Sequence, residues 1–156
     1  MRLTLVSVGK VSEPFIREAC AVYAEKVRRY ASLNLIVVPE EKIPSQGKKE
    51  YILRQEGRRI REKLRPSVMT AAVDEGGKPL SSEAFARSLE KWSNSGLKEL
   101  AFIVGGPYGL DAALKEEADF CLALSALTLT HGLARMLLLE QIYRAFTILR
   151  GEPYHK

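Results

Sequence analysis

Leu100-Ala101-Phe102-Ile103-Val104-Gly105-Gly106-Pro107-Tyr108-Gly109 reads as a short strand running into a glycine turn. Five consecutive apolar residues cut off by glycine and proline form a short apolar run of strand character. Arg2–Val8 and Leu33–Val38 are β-rich runs bounded by Gly9 and Pro39, Val68–Val73 is another short apolar run, and Phe120–Leu124 reads as a fifth strand in which helix and strand signals are mixed. Helical patterns fill the intervals. Ser12 is placed to cap a first helix, with Pro14 in its opening turn and Ile16, Cys20, Tyr23, Val27 and Tyr30 along one face. A second spans Lys48–Leu64, with Leu53, Gly57, Ile60 and Leu64 inward, its cations toward solvent and Pro66 ending it. Ser81 or Ser82 caps a third, Glu83–Trp92, which buries Phe85, Leu89 and Trp92. A short helix follows Asp111, and a long one runs from His131 to Leu149.

Strands alternating with helices of this length predict an α/β fold: one domain over residues 1–156, with a mainly parallel sheet and helices on both faces. Glu40–Lys49 reads as a polar loop within that domain. The last helix carries Met136, Leu137, Leu138, Leu139, Ile142, Tyr143, Phe146, Ile148 and Leu149 around most of its circumference. Such a helix asks for two covers, its own sheet and a second copy, and a symmetric homodimer is the economical arrangement.

Composition narrows the function. The chain of 156 residues is 46% hydrophobic and 28% charged, ordinary values for a globular protein. Its longest apolar stretch, Leu133–Leu149, is broken by Arg135, Glu140, Gln141 and Arg144, and the run at Met1–Val8 is too short for a signal peptide. A cytoplasmic protein without membrane contact is therefore expected. Cys20 and Cys121 lie in apolar contexts and read as free thiols. Two histidines and no paired cysteines predict no metal site. The net charge of +5 is concentrated between residues 42 and 65, where nine basic residues face three acidic ones. That stretch points to a polyanionic partner.

Several segments carry chemistry or plain structure. The turn Gly105-Gly106-Pro107-Tyr108-Gly109 permits positive φ and close approach of a ligand to the backbone, or is a simple tight turn. It is no dinucleotide fingerprint, and Gly76-Gly77-Lys78 is no phosphate loop, because Pro79 stands where the hydroxyl residue belongs. Leu124-Ser125-Ala126-Leu127-Thr128-Leu129-Thr130-His131 offers hydroxyls for a ligand or for its own backbone, with Thr130 a natural cap. His131 is a capping or packing residue, or a catalytic one. Glu140 and Arg144 stand one turn apart and read first as an ion pair. The tail Gly151–Lys156 either frays or presents Tyr154 and His155 as a stacking ring and a titratable imidazole.

Taken in order, Phe102–Leu110, Leu124–His131, Glu140-Gln141-Ile142-Tyr143-Arg144-Ala145 and Pro153-Tyr154-His155-Lys156 resemble the RlmH (YbeA-type) group of the SPOUT methyltransferases over the whole length. The resemblance implies a C-terminal trefoil knot, a homodimer, and methylation of N3 of a pseudouridine in 23S ribosomal RNA within the assembled 70S ribosome. S-adenosylmethionine would be the methyl donor. Carried over by motif, the donor site is Val73, Gly105, Gly106, Leu124, Ser125, Ala126, Leu127, Thr128 and Leu129. His155 becomes the general base, Tyr154 the stacking ring and Arg144 the steering charge, with His131 and Arg135 near the dimer interface. One departure is Thr130, where many members carry proline. The alternatives are a SPOUT enzyme acting on transfer RNA and a non-catalytic basic RNA-binding module.

Overall fold

A computed structural model describes residues 1–42 and 48–156; part of the expected polar loop Glu40–Lys49 thus lies outside the described residues. The elements alternate as the hydrophobic pattern requires: β1 (Arg2–Val8), α1 (Pro14–Arg28), β2 (Ser32–Val38), α2 (Lys49–Arg61), β3 (Met69–Pro79), α3 (Ser82–Asn94), β4 (Glu99–Val104), α4 (Ala112–Glu117), β5 (Phe120–Ala123) and α5 (His131–Leu149). All strand pairs are parallel, in the order β2-β1-β4-β3-β5. β4 thus enters between β1 and β3, and the chain then crosses to the far side of β3 to lay down β5.

Alternate residues of each strand feed two cores. Leu3, Leu5, Leu100, Phe102 and Ala71 join Leu138, Leu139, Ile142, Phe85 and Leu89 under α1, α3 and α5. Val6, Val8, Ile103 and Ala72 meet Ile60 and Leu114 under α2 and α4. Because β4 sits at the centre with both faces covered, Leu100 through Val104 are all buried. Among the described residues no helix is long and apolar enough to cross a membrane.

Four details depart from the sequence reading. Glu13, not Ser12, is the residue at the N-terminus of α1, and Ser12 Oγ bonds its carboxylate at 2.9 Å. α2 stops at Arg61 and is rotated from the expected phase. It buries Ile52, Glu56, Gly57 and Ile60, whereas Leu53 and Leu64 are half-buried. Trp92 is likewise half-buried, its ring edge-on to Phe120 at 5.7 Å. β3 is longer than expected because it resumes after an interruption. Val73 pairs with Leu122, residues 74–77 swing out, and Lys78 pairs with Leu122 again. Gly77 makes that return possible, since a Cβ there would lie 2.7–2.8 Å from backbone atoms of Leu122 and Cys121.

Candidate active site

Backbone groups come free where strands end, and here three strands release theirs at one place. The excursion of β3, the turn after β4 and the loop after β5 line a single cleft of about 990 Å³, outside the carboxyl ends of the parallel sheet. That volume is at the upper end for a small-molecule pocket. Val73, Gly105, Gly106, Leu124, Ser125, Leu127, Thr128 and Leu129, eight of the nine residues expected at a donor site, lie on its wall. Ala126, the ninth, is on the same loop but outside the lining. Asp74, Glu75, Lys49, Leu53, Lys115 and His131 are among the other residues that line it, and these were not expected at a donor site. The β3 excursion could have been suspected from Asp74-Glu75-Gly76-Gly77, a polar run inside an otherwise apolar strand.

The glycines of the β4 turn have a different reason from the one positive φ suggests. Only Gly109 is left-handed, with φ +87°. Gly105 is required because the turn folds back on it: a Cβ there would sit 2.3 Å from Gly109 O. Gly109 N donates to Gly106 O at 3.0 Å and closes the turn.

In the loop after β5 the hydroxyls are largely used internally. Ser125 Oγ accepts from Leu127 N at 2.9 Å, and Thr128 Oγ1 donates to Glu75 Oε2 at 2.7 Å. Among the described residues, no backbone-to-backbone hydrogen bond involves Ser125–Leu129. Apart from the Leu127 amide, which Ser125 Oγ holds, the backbone groups of this loop are left without a backbone partner beside the cleft. Leu127 is 77% exposed on its lip. Thr130 caps α5, its Oγ1 accepting from Leu133 N at 3.3 Å.

Behind the β4 turn lie two buried charged side chains that a hydrophobicity pattern does not reveal. Glu56 is 3% exposed; Oε1 accepts from Glu41 N at 3.0 Å, while Oε2 faces Gly106 without a partner. Burial pushes its pKa up from the ordinary carboxylate value. Arg135, expected near a dimer interface, points into its own protomer and is 5% exposed there. It donates to Gly9 O at 2.7 Å and to Val8 O, tying α5 to the end of β1. Desolvation lowers its pKa.

The other expected residues assemble on a separate surface. Arg144 Nε donates to Glu140 Oε1 at 3.0 Å, as the one-turn spacing predicted. The same carboxylate accepts from Tyr154 Oη at 3.0 Å, and the Arg144 guanidinium stacks over the Tyr154 ring at 4.6 Å. The Tyr154 phenol is also 3.4 Å from that of Tyr23; burial and its neighbours raise its pKa. His155 lies between Glu83, with Nε2 2.8 Å from Oε1, and Arg144, with Nδ1 3.5 Å from a guanidinium nitrogen. The tail is thus pinned rather than frayed, and Tyr30 adds a hydrogen bond to Glu152. None of Arg144, Tyr154 and His155 lines the cleft. Arg144 is thirteen residues beyond His131 on the same helix, roughly 20 Å along its axis.

The basic segment also resolves into two kinds of cation. Arg61 is committed to Glu117 at 2.7 Å and Asp111 at 3.5 Å, and Arg59 to Glu41 and the carbonyl of Pro39. Lys42, Lys48, Lys49, Arg54, Arg58, Lys63 and Arg65 are exposed.

Comparisons with known proteins agree in direction. A family profile described as "Predicted SPOUT methyltransferase" matches residues 1–155. A protein from Syntrophotalea carbinolica named "Ribosomal RNA large subunit methyltransferase H" is 44% identical over 155 residues, covering 99% of each chain. Proteins of the same name from Carboxydothermus hydrogenoformans and Leuconostoc citreum are 44% and 41% identical, with full coverage of both chains. Among solved structures, one titled a probable methyltransferase from Bordetella pertussis superposes with TM-score 0.56 at 16% identity. It covers 92% of this chain and 95% of that one, a likeness of fold alone.

Proposed function

This chain belongs to the SPOUT methyltransferase family, and from that premise we propose that it methylates large-subunit ribosomal RNA, at N3 of a pseudouridine, on the assembled ribosome in the cytoplasm. The observation that carries the reading is the cleft formed by the β3 excursion, the β4 turn and the β5 loop. Its character fits S-adenosylmethionine. Backbone groups without a backbone partner in the loop after β5 suit the edges of a purine, and Glu75 places a carboxylate on the wall to face a sulfonium cation, while Asp74 beside it is paired with Lys115 at 3.2 Å. Val73, Gly105, Gly106 and the loop from Leu124 to Leu129 would hold it. When bound, that donor supplies a methyl group already activated for displacement.

The chain's own work is then positioning and proton removal. Holding the two reactants in line is worth roughly 7–11 kcal/mol of the barrier. A ring imide must also lose its proton, and a placed base typically adds about 10²–10⁴-fold. His155 is that base in our reading, Tyr154 stacks on the nucleobase, and Arg144 steers charge.

The separation of the tail cluster from the cleft supports a homodimer in which the tail of one protomer meets the cleft of its partner. Phe15, 69% exposed on α1, and the half-buried Leu133, Met136 and Leu137 on α5 offer apolar surface for it. Family membership further implies the C-terminal trefoil knot, a rare exception to ordinary chain threading. The exposed cations of α2 and its flanks would grip phosphates, with recognition by shape across the ribosome rather than by base sequence.

The test is methyl transfer from labelled S-adenosylmethionine to ribosomes lacking the modification. Intact 70S particles, isolated 50S subunits and transfer RNA are compared. Label on one pseudouridine, strongest in 70S particles, is expected. Label in transfer RNA moves the enzyme to another substrate, and no binding of the donor leaves a basic RNA-binding module.

A further inference from the structure

We propose that Glu83 is a positioning residue for this reaction: it holds the His155 ring with Nε2–H toward α3 and so presents Nδ1 as the atom that takes the substrate proton. The proposal rests on the reading of His155 as the base.

Glu83 stands in the first turn of α3, where Ser81 caps the helix by accepting from Ala84 N at 3.2 Å. Its own backbone N–H, the Ser81 hydroxyl and His155 hold the Glu83 carboxyl down at about 2. It is therefore an anion throughout the neutral range and can only accept hydrogen bonds. The ring nitrogen 2.8 Å from it, Nε2, must carry hydrogen. In the neutral imidazole the lone pair then belongs to Nδ1.

The surroundings of Nδ1 agree with that assignment. Its neighbour is a guanidinium nitrogen of Arg144 at 3.5 Å, the outer limit of a hydrogen bond. A guanidinium is a donor only. Arg144 spends its stronger bonds on Glu140. The ring is thus bracketed by an acceptor on one nitrogen and a weakly held donor on the other, and one tautomer satisfies both. A modest movement of the guanidinium frees the lone pair without disturbing the grip of Glu83.

The proton balance follows. Nδ1 takes the proton of the ring N3–H. The electron pair left on N3 forms the N3–CH₃ bond as the S–CH₃ bond of a sulfonium donor breaks, leaving a neutral thioether. The imidazolium so formed lies against the Glu83 carboxylate, which stabilises its charge, and the proton passes from Nδ1 to water.

The chain has only two histidines, so ¹⁵N spectroscopy of the whole protein reads them individually, with His131→Asn giving the assignment. At alkaline pH, His155 should show the Nε2–H form alone. Glu83→Gln, equal in size but carrying both donor and acceptor, should mix the two tautomers. It should lower kcat about 10-fold, a part of the roughly 10²–10⁴-fold that a placed base is worth, while KM for ribosomes is unchanged. Glu83→Asp should restore the single tautomer and part of the rate. A single Nε2–H tautomer in Glu83→Gln, or an unchanged kcat, overturns the proposal. His155→Ala separates the two layers. Normal turnover there removes the base assignment and this proposal with it, whereas lost turnover beside a Glu83→Gln variant of normal rate removes Glu83 alone.

Discussion

Replacing Gly105 with alanine adds one carbon to the turn after β4 where there is no space for it. The new Cβ would lie 2.3 Å from Gly109 O, 2.5 Å from Gly109 C and 3.0 Å from Leu110 N. All three are backbone atoms, so no side-chain rotation relieves the overlap. Carbon contacts become favourable only near 3.5 Å, so the returning limb of the turn must retreat by about 1 Å. Overpacking of this kind costs about 1–3 kcal/mol, and at this chain length each kcal/mol lowers Tm by roughly 2–4 °C. Because the same turn walls the cleft, affinity for S-adenosylmethionine should fall about 10-fold or more, equivalent to roughly 1.4 kcal/mol. Thermal denaturation gives the first quantity and titration calorimetry the second. Gly96→Ala is the matched control. Gly96 has φ +82° with nothing within 4 Å of the missing Cβ, in the connection before β4 and so at the opposite end of the sheet. It should lose up to about 1–2 kcal/mol from the left-handed backbone alone and bind the donor normally. A Gly105→Ala protein that loses stability yet binds as the wild type does would remove the turn from the donor site. One with an unchanged Tm would refute the closure itself.

Glu56→Gln keeps the acceptor for Glu41 N but cannot ionise. The folded pKa of Glu56 is raised, so above the unfolded value the native state binds the extra proton and stability drains away as pH rises toward the folded value. The variant should match the wild type near pH 4 and exceed it at pH 8; denaturant midpoints at the two values decide, and equal pH slopes would contradict the buried state of this carboxyl. Arg135→Met fills similar space but abandons the carbonyls of Val8 and Gly9, at a cost of roughly 2–5 kcal/mol by urea denaturation. A loss below about 1 kcal/mol would mean those carbonyls find water. Reversing Arg54, Arg58 and Lys63 to glutamate alters exposed cations and spares Arg61, whose role is to hold α4. Ribosome binding should weaken, with the slope of log affinity against log salt flattening by about 2–3; an unaltered slope assigns this face to solubility.

How much of this was legible beforehand depends on the range of the interaction. The alternation of strands and helices, the β4 turn and the cap at Thr130 follow from periodicity and local backbone chemistry over a few residues. The loops expected to hold a donor were picked out because four motifs resemble one family, and the structure gathers them around one cleft. Glu56 was invisible for a physical reason. A carboxylate reads as surface, and only the packing of α2 against the end of β1 and the turn after β4 shows that this one is enclosed while Leu53 faces the cleft. Glu83 was legible only as the first residue of the third helix, and its contact with His155 depends on where the tail is laid.

The sequence by itself determined that this is a parallel α/β domain with a glycine turn, a hydroxyl-rich loop and a basic segment, because each is written in contiguous residues. Tertiary structure alone decided the strand order β2-β1-β4-β3-β5, the interruption of β3, the inward turn of Arg135 and the distance between the tail cluster and the cleft. Those features depend on which buried surfaces pair across about 30 to 130 residues of chain. No local pattern encodes that choice, since any of the apolar strands could satisfy its neighbours' hydrogen bonds, and only the packing of all of them together selects one arrangement.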